Sequence, residues 1–314
     1  MGSPRRATTF VISLTPFDQE ERLDEAALRA HLRRLGESGI GVYVGGGGTG
    51  EGFTLDLDEV RRVCHIAKEE LHGKVPVRAM GHEPRTAKQL IEYAKVVEEA
   101  GLEAFQVYSL DPGHGRLPGE RDIEGYLTDV LSAISMPCVL SVHRGVHYIP
   151  SARLIKRMID RFDHIIGVNC TTDGWPNGLG YLGELIDLVG DKVEIHVGGP
   201  VFALNALALG ATGWLSAEGN IVPRLTVSTT DHHNAGRLAE RDAAFAKIFH
   251  LERALSRYGW GFMKAALSHL GLPGGHLRRP RTPLPDEQLA EVARLLEDLD
   301  ILSVDGLQIG AART

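Results

Sequence analysis

Residues 45–51 read Gly-Gly-Gly-Gly-Thr-Gly-Glu and follow directly on the apolar run 41–44. A loop so free of side chains can turn successive backbone N–H groups toward an anion, which makes Gly47, Gly48, Thr49, Gly50 and Glu51 candidates for holding a carboxylate or a phosphate. A tight strand-to-helix turn needs the same glycines, and composition does not separate the two readings. Neither the Walker pattern nor the dinucleotide glycine fingerprint is present. His143 and Arg144 put an imidazole that titrates near neutrality beside a guanidinium fork suited to a carboxylate, and Asp111 is a second group able to move a proton. Gly198 and Gly199 follow a further apolar run and leave room for a substrate. His82, Asp111, His114 and His143 are of metal-ligating type but lack tight ligand spacing, so neither a metal nor a cofactor is expected, with a metal-dependent lyase kept as a third reading. Cys170 reads as a buried thiol on the far side of its strand from Asn169 rather than as a nucleophile.

The elements that must position these residues alternate in type. Eight short apolar runs, at 10–14, 41–44, 75–80, 104–108, 138–142, 165–168, 193–197 and 213–215, are separated by longer segments of helical period. Several runs are apolar on both faces, as strands packed inside and covered by helices outside must be. Asp56 opens one helix, Thr86 and Gln89 cap another, and glycines 39, 101 and 210 stop helices just before strands. Helix-to-strand links are therefore short and strand-to-helix links long and polar, which predicts a (β/α)8 barrel working at the C-terminal ends of its strands. A doubly wound open sheet is the alternative, disfavoured by the strand count. The expected division is a barrel over 1–225, C-terminal helices packed on it over 226–305, and a tail over 306–314.

The net charge of -7 offers no broad positive field for nucleic acid or anionic lipid, and no apolar run approaches the roughly 20 residues that span a bilayer. Three cysteines make an odd, sparse set typical of reduced thiols, so a cytoplasmic protein is expected.

Motifs in order along the chain carry a resemblance. Thr15-Pro16-Phe17, the loop Gly47-Gly48-Thr49-Gly50-Glu51, Ile165-Ile166-Gly167-Val168, the stretch with Gly213, Ser216, Asn220 and Pro223, and Lys264-Ala265-Ala266-Leu267 resemble landmarks of the N-acetylneuraminate lyase and dihydrodipicolinate synthase family. The resemblance implies a (β/α)8 barrel, a homo-oligomer (dimer or dimer of dimers), and a 2-oxo acid bound as a Schiff base on a lysine ending strand six. That position here reads Asn169, the family's proton-relay tyrosines fall near Ser141 and Asp111, and the first threonine of its loop is Gly48. An amide forms no iminium with a ketone. The expectation is a lyase, of aldolase or dehydratase type, acting on a small carboxylic oxo or hydroxy acid without a Schiff base. In it the glycine loop and Arg144 hold the carboxylate, Asn169 donates to the enolate oxygen, and His143 or Asp111 moves the proton. A non-catalytic relative that binds a small acid or signals is the alternative.

Overall fold

The computed structural model describes residues 6–306. Eight strands, β1 (Thr8–Ile12), β2 (Gly41–Val44), β3 (Val77–Ala79), β4 (Ala104–Val107), β5 (Cys138–His143), β6 (Ile165–Thr171), β7 (Glu194–Gly198) and β8 (Gly213–Ser216), pair in parallel and close into a barrel through β1 and β8. Between them run α1 (Glu25–Glu37), α2 (Leu57–Leu71), α3 (Ala87–Ala100), α4 (Glu120–Ala133), α5 (Ala152–Arg161), α6 (Gly178–Val189) and α7 (Ala203–Leu209); α8 (Pro223–Asn234) completes the ring. α8 spans residue 225 and ends at Asn234. The extension holds α9 (Leu238–Tyr258), α10 (Gly261–His269), α11 (Asp286–Asp298) and α12 (Ile301–Val304). Of the expected tail, residues 307–314 lie outside the described residues.

Local chemistry explains the element ends. Asp56 caps α2 by accepting from the Glu59 N–H at 2.8 Å while the Glu59 carboxylate accepts from the Asp56 N–H at 3.2 Å, a reciprocal box that satisfies two orphan donors. Thr86 caps α3, but Gln89 reaches back to the Arg85 N–H rather than to Thr86. Gly101 and Gly210, at φ 70° and 100°, end α3 and α7 in the left-handed region that a Cβ disfavours.

Alternation along each strand sorts the side chains into two cores. Val11, Val42, Val77, Phe105, Leu140, Val168, Ile195 and Trp214 face outward and join the large cluster under the helix ring, which also takes Cys170. Phe10, Tyr43, Met80, Tyr108 and Leu215 face inward and form a separate cluster inside the barrel. The lower interior is polar: the Arg78 guanidinium bridges to Glu194 at 2.9 Å, donates to the Tyr43 hydroxyl at 3.3 Å and lies 4.5 Å from the Phe10 ring centre. No helix among the described residues is long and apolar enough to cross a membrane.

Candidate active site

Over the C-terminal ends of the strands opens a cavity of 740 Å³. Its wall includes Gly47, Gly48, Thr49, Asp111, His143, Arg144, Asn169, Gly198 and Gly199, so nine of the eleven sequence-derived candidates converge on one space. The convergence follows from the barrel: Ser141, Asn169 and His196 stand side by side in register on β5, β6 and β7, and His143 pairs with Thr171 one layer higher. Asn169 thus points inward at mid-height and His143 sits at the rim. Among the described residues, no lysine lines this cavity.

Gly50 and Glu51 are not in that wall. Glu51 turns away from the mouth, is fully buried, and pairs with the Lys264 ammonium at 2.6 Å while accepting the Arg278 backbone N–H at 3.0 Å. Lys264 also donates to the carbonyls of Thr15 at 2.8 Å and His276 at 2.5 Å, and burial lowers its pKa to about 8. The last part of the glycine loop is therefore a fastening: a helix of the extension ties it to the chain after β1. Close approach explains its composition, since a Cβ on Gly52 would lie 2.0 Å from the Gly45 carbonyl oxygen and one on Gly50 2.9 Å from the Gly46 backbone. Of the loop's remaining donors, the Gly47 N–H faces the Tyr108 hydroxyl. The Thr49 hydroxyl is buried with no protein partner.

Asn169 is held from both sides. Its amide nitrogen donates to Gln106 Oε1 at 2.5 Å, the Tyr43 hydroxyl lies within hydrogen-bonding reach, and its Oδ1 is buried without a partner. His143 Nδ1 accepts from the Gly145 N–H at 3.1 Å and stands 3.6 Å from Glu83 Oε1. Burial lowers the His143 pKa, with Arg144 adding to the shift and Glu83 opposing it, so the ring is neutral at pH 7 with its proton on Nε2. Arg144 forms a 3.0 Å ion pair with Asp173, and Asp111 accepts from the Gly113 N–H at 2.8 Å with Arg85 3.7 Å away.

The histidines considered as ligands separate: His82 and His114 are outside the cavity wall, and among the described residues His, Cys, Asp and Glu form no group of three that could hold a metal. Cys170 is buried on the outer side, and desolvation pushes its thiol up to about 12. Two contributors were missed because nothing local marks them. Glu252 and Trp260 come from α9 and the turn after it, in a helical segment read as accessory, and both line the cavity. Glu218, in the turn directly after β8, is fully buried, accepts from Ser216 Oγ at 2.8 Å, and faces Glu252.

Comparison with known proteins places this geometry. The Dihydrodipicolinate synthetase family matches residues 5–299. The 4-hydroxy-tetrahydrodipicolinate synthase of Pelobacter propionicus is 26% identical over 298 residues, covering 94% of this chain and 99% of that protein. The enzyme of the same name from Methanothrix thermoacetophila is 28% identical over 301 residues, covering 94% and 98%. Among solved structures, YagE, a prophage protein of the dihydrodipicolinic acid synthase family from E. coli K12 in complex with pyruvate, superposes with a TM-score of 0.85 at 21% identity over 94% of this chain and 99% of that one. Dihydrodipicolinate synthase from Aquifex aeolicus gives 0.85 at 20% identity, over 94% and 98%. The family match runs through the whole barrel and the C-terminal helices as far as α11, so the chain belongs to the dihydrodipicolinate synthetase family of lyases.

Proposed function

We propose that the protein is a lyase of aldolase or dehydratase type that processes a small oxo or hydroxy acid without a lysine Schiff base. The observation that carries this reading is the wall of the mouth cavity, where Asn169 occupies the inward position of β6 and no lysine is present. Family membership supports lyase chemistry on small acids in general; the absent amine removes the covalent electron sink from that chemistry.

What remains is hydrogen bonding and charge. Arg144, already paired to Asp173, offers the rest of its guanidinium fork to a substrate carboxylate beside the loop of Gly46, Gly47, Gly48 and Thr49, with Gly198 and Gly199 leaving space opposite. Asn169 spends one amide hydrogen on Gln106, and the other, within reach of the Tyr43 hydroxyl, turns to an oxygen that becomes an enolate. A single such donor is worth about 3–4 kcal/mol, less than an iminium supplies, so the substrate is one whose carbon acid is already activated. His143, with its Nδ1 held by the Gly145 N–H, and Asp111 line the same wall beside a bound acid.

Borohydride reduction in the presence of pyruvate, read by intact-mass spectrometry, tests the central point. The protein is expected to show no reduced pyruvate adduct. An adduct mapped to any lysine returns the protein to Schiff-base chemistry and overturns the proposal.

A further inference from the structure

The two proton carriers read from the sequence are both engaged. His143 turns its basic nitrogen onto the Gly145 N–H, and the Asp111 carboxylate is anchored by the Gly113 N–H and by Arg85. The cavity holds another candidate. Glu218 sits in the short turn after β8, with both its neighbours there, Gly219 and Asn220, buried as well. Asn220 fastens this turn by donating to the Ile12 and Ala217 carbonyls and accepting from the Leu14 N–H. Ser216 Oγ holds one Glu218 oxygen at 2.8 Å, and the other, Oε1, is buried with no partner. Across from it stands Glu252 of α9, itself held by Ser256 at 3.2 Å, and both carboxyls line the mouth cavity. Neither takes part in an ion pair among the described residues. Two carboxyls within hydrogen-bonding reach of each other, with no cation paired to either among the described residues, hold one shared proton at lowest energy.

We propose that Glu218 and Glu252 form a single acid–base unit that holds one shared proton and carries out the proton transfers of the reaction on a hydroxylated oxo acid. This rests on the lyase reading above. The unit takes the proton of the substrate hydroxyl while the O–H electron pair becomes a carbonyl, and the carbon–carbon bond then breaks toward the 2-oxo group to leave an enolate. One of the two protons now on the pair goes to the enolate carbon, which restores the singly protonated state, so no outside acid or base is consumed. Three buried polar atoms without protein partners, Glu218 Oε1, Asn169 Oδ1 and Thr49 Oγ1, belong to residues of this same wall and mark it as built for a polar ligand rather than an apolar one.

The surroundings favour the protonated state. Burial first, and then Glu252, push the Glu218 pKa up to about 8, with Ser216 opposing. The walls behind the turn are apolar, Val11 of β1 and Ile40 before β2. His31 of α1 reaches the turn through Asn220 as a neutral ring, its pKa lowered to about 3 mainly by burial.

The experiment has two arms on the full chain and on Glu218→Gln and Glu252→Gln. Carbon-13 NMR of protein labelled at the glutamate side-chain carboxyl follows each resonance against pH, with Glu218 assigned by its loss in Glu218→Gln. Proton NMR in deuterium oxide follows exchange of the methyl protons of pyruvate. The Glu218 signal is expected to titrate near 8 and to move to lower pH in Glu252→Gln. Pyruvate exchange is expected to fall by about 100-fold or more in Glu218→Gln. Titration of Glu218 in the ordinary carboxylate range, or a midpoint unmoved in Glu252→Gln, overturns the shared proton. Exchange that persists undiminished in Glu218→Gln, or that is absent from the unaltered chain, overturns this use of the pair while leaving the lyase reading to the borohydride experiment.

Discussion

Replacing Lys264 by methionine removes the cation from a buried pair whose partner, Glu51, has no exposure at all and whose own exposure is 4%. At 2.6 Å the gross attraction is about 6 kcal/mol for an effective dielectric of about 20, most of it offset by the cost of taking both charges out of water. Breaking such a pair from one side leaves the other charge buried and uncompensated, at a cost of about 3–5 kcal/mol. Here the Thr15 and His276 carbonyls lose their donor as well. Glu51→Gln is isosteric and leaves the ammonium with neutral acceptors only, so it should fall at the lower end of the same range. The double variant has no orphaned charge and is expected to lose about 2 kcal/mol less than the sum of the two singles. At about 2 °C per kcal/mol for a chain of this size, each single variant should melt about 6–10 °C lower. Calorimetric melts at pH 7, with urea titrations for the free energies, read the cycle. Single variants within 1 °C of the parent, or a double variant that loses the full sum, would refute the reasoning.

Three further outcomes are expected. Glu218 is neutral in the fold up to about pH 8 but ionises near 4.5 when unfolded, so its penalty on stability grows as pH rises from 4.5 and levels off above 8. Glu218→Gln should therefore gain melting temperature over the parent progressively across that window, and a gain largest at pH 4 contradicts the assignment. Arg144→Ala should weaken pyruvate binding in calorimetric titration and Arg144→Lys restore it in part, because an ammonium lacks the fork that Asp173 leaves half free; equal affinity in all three proteins takes Arg144 out of the site. The chain should form a homo-oligomer through the loop after β4, residues 111–116, next to Leu117, which is half exposed; light scattering that gives a 34.2 kDa monomer rejects it.

Much of the barrel was legible because its outer core is written locally. Runs such as 41–44 and 104–108 alternate or stay apolar in the way that strands between two packed faces must, and the expected strands fall within three residues of the observed ends. The largest shortfall is β6, expected over 165–168 and found to reach Thr171: Asn169 and Thr171 look like loop residues, yet they are paired through their backbones and turn polar side chains into the mouth. The opposite error is β1, expected to run to Leu14. Ladder pairing stops at Ile12 because the Asn220 side chain takes the Leu14 N–H in place of a neighbouring strand. Strand-end position alone brought Asp111, His143, Arg144 and Asn169 to one cavity. It carried no sign of the Glu51 ion pair, whose partner lies 213 positions away in a helix whose own sequence pattern only declares it amphipathic. For the same reason Glu252 and Trp260 were unreadable: a side chain's entry into a distant cavity leaves no periodicity behind.

The fastening of the glycine loop sets a clock on the birth of the site. The contact from Lys264 to the Thr15 carbonyl closes a span of 249 positions, and that from Arg278 to Glu51 one of 227. During ribosomal synthesis at about 5–20 residues per second, the loop waits roughly 12–50 s after Thr15 is made before its anchor exists at all. The nascent chain can close β-strands and helices in sequence, but the glycine loop gains its tether only after residue 264 has left the ribosome. A chain terminated before α10 would carry all eight strands and still leave Glu51 facing no lysine, so competence arrives in one late step rather than growing with length.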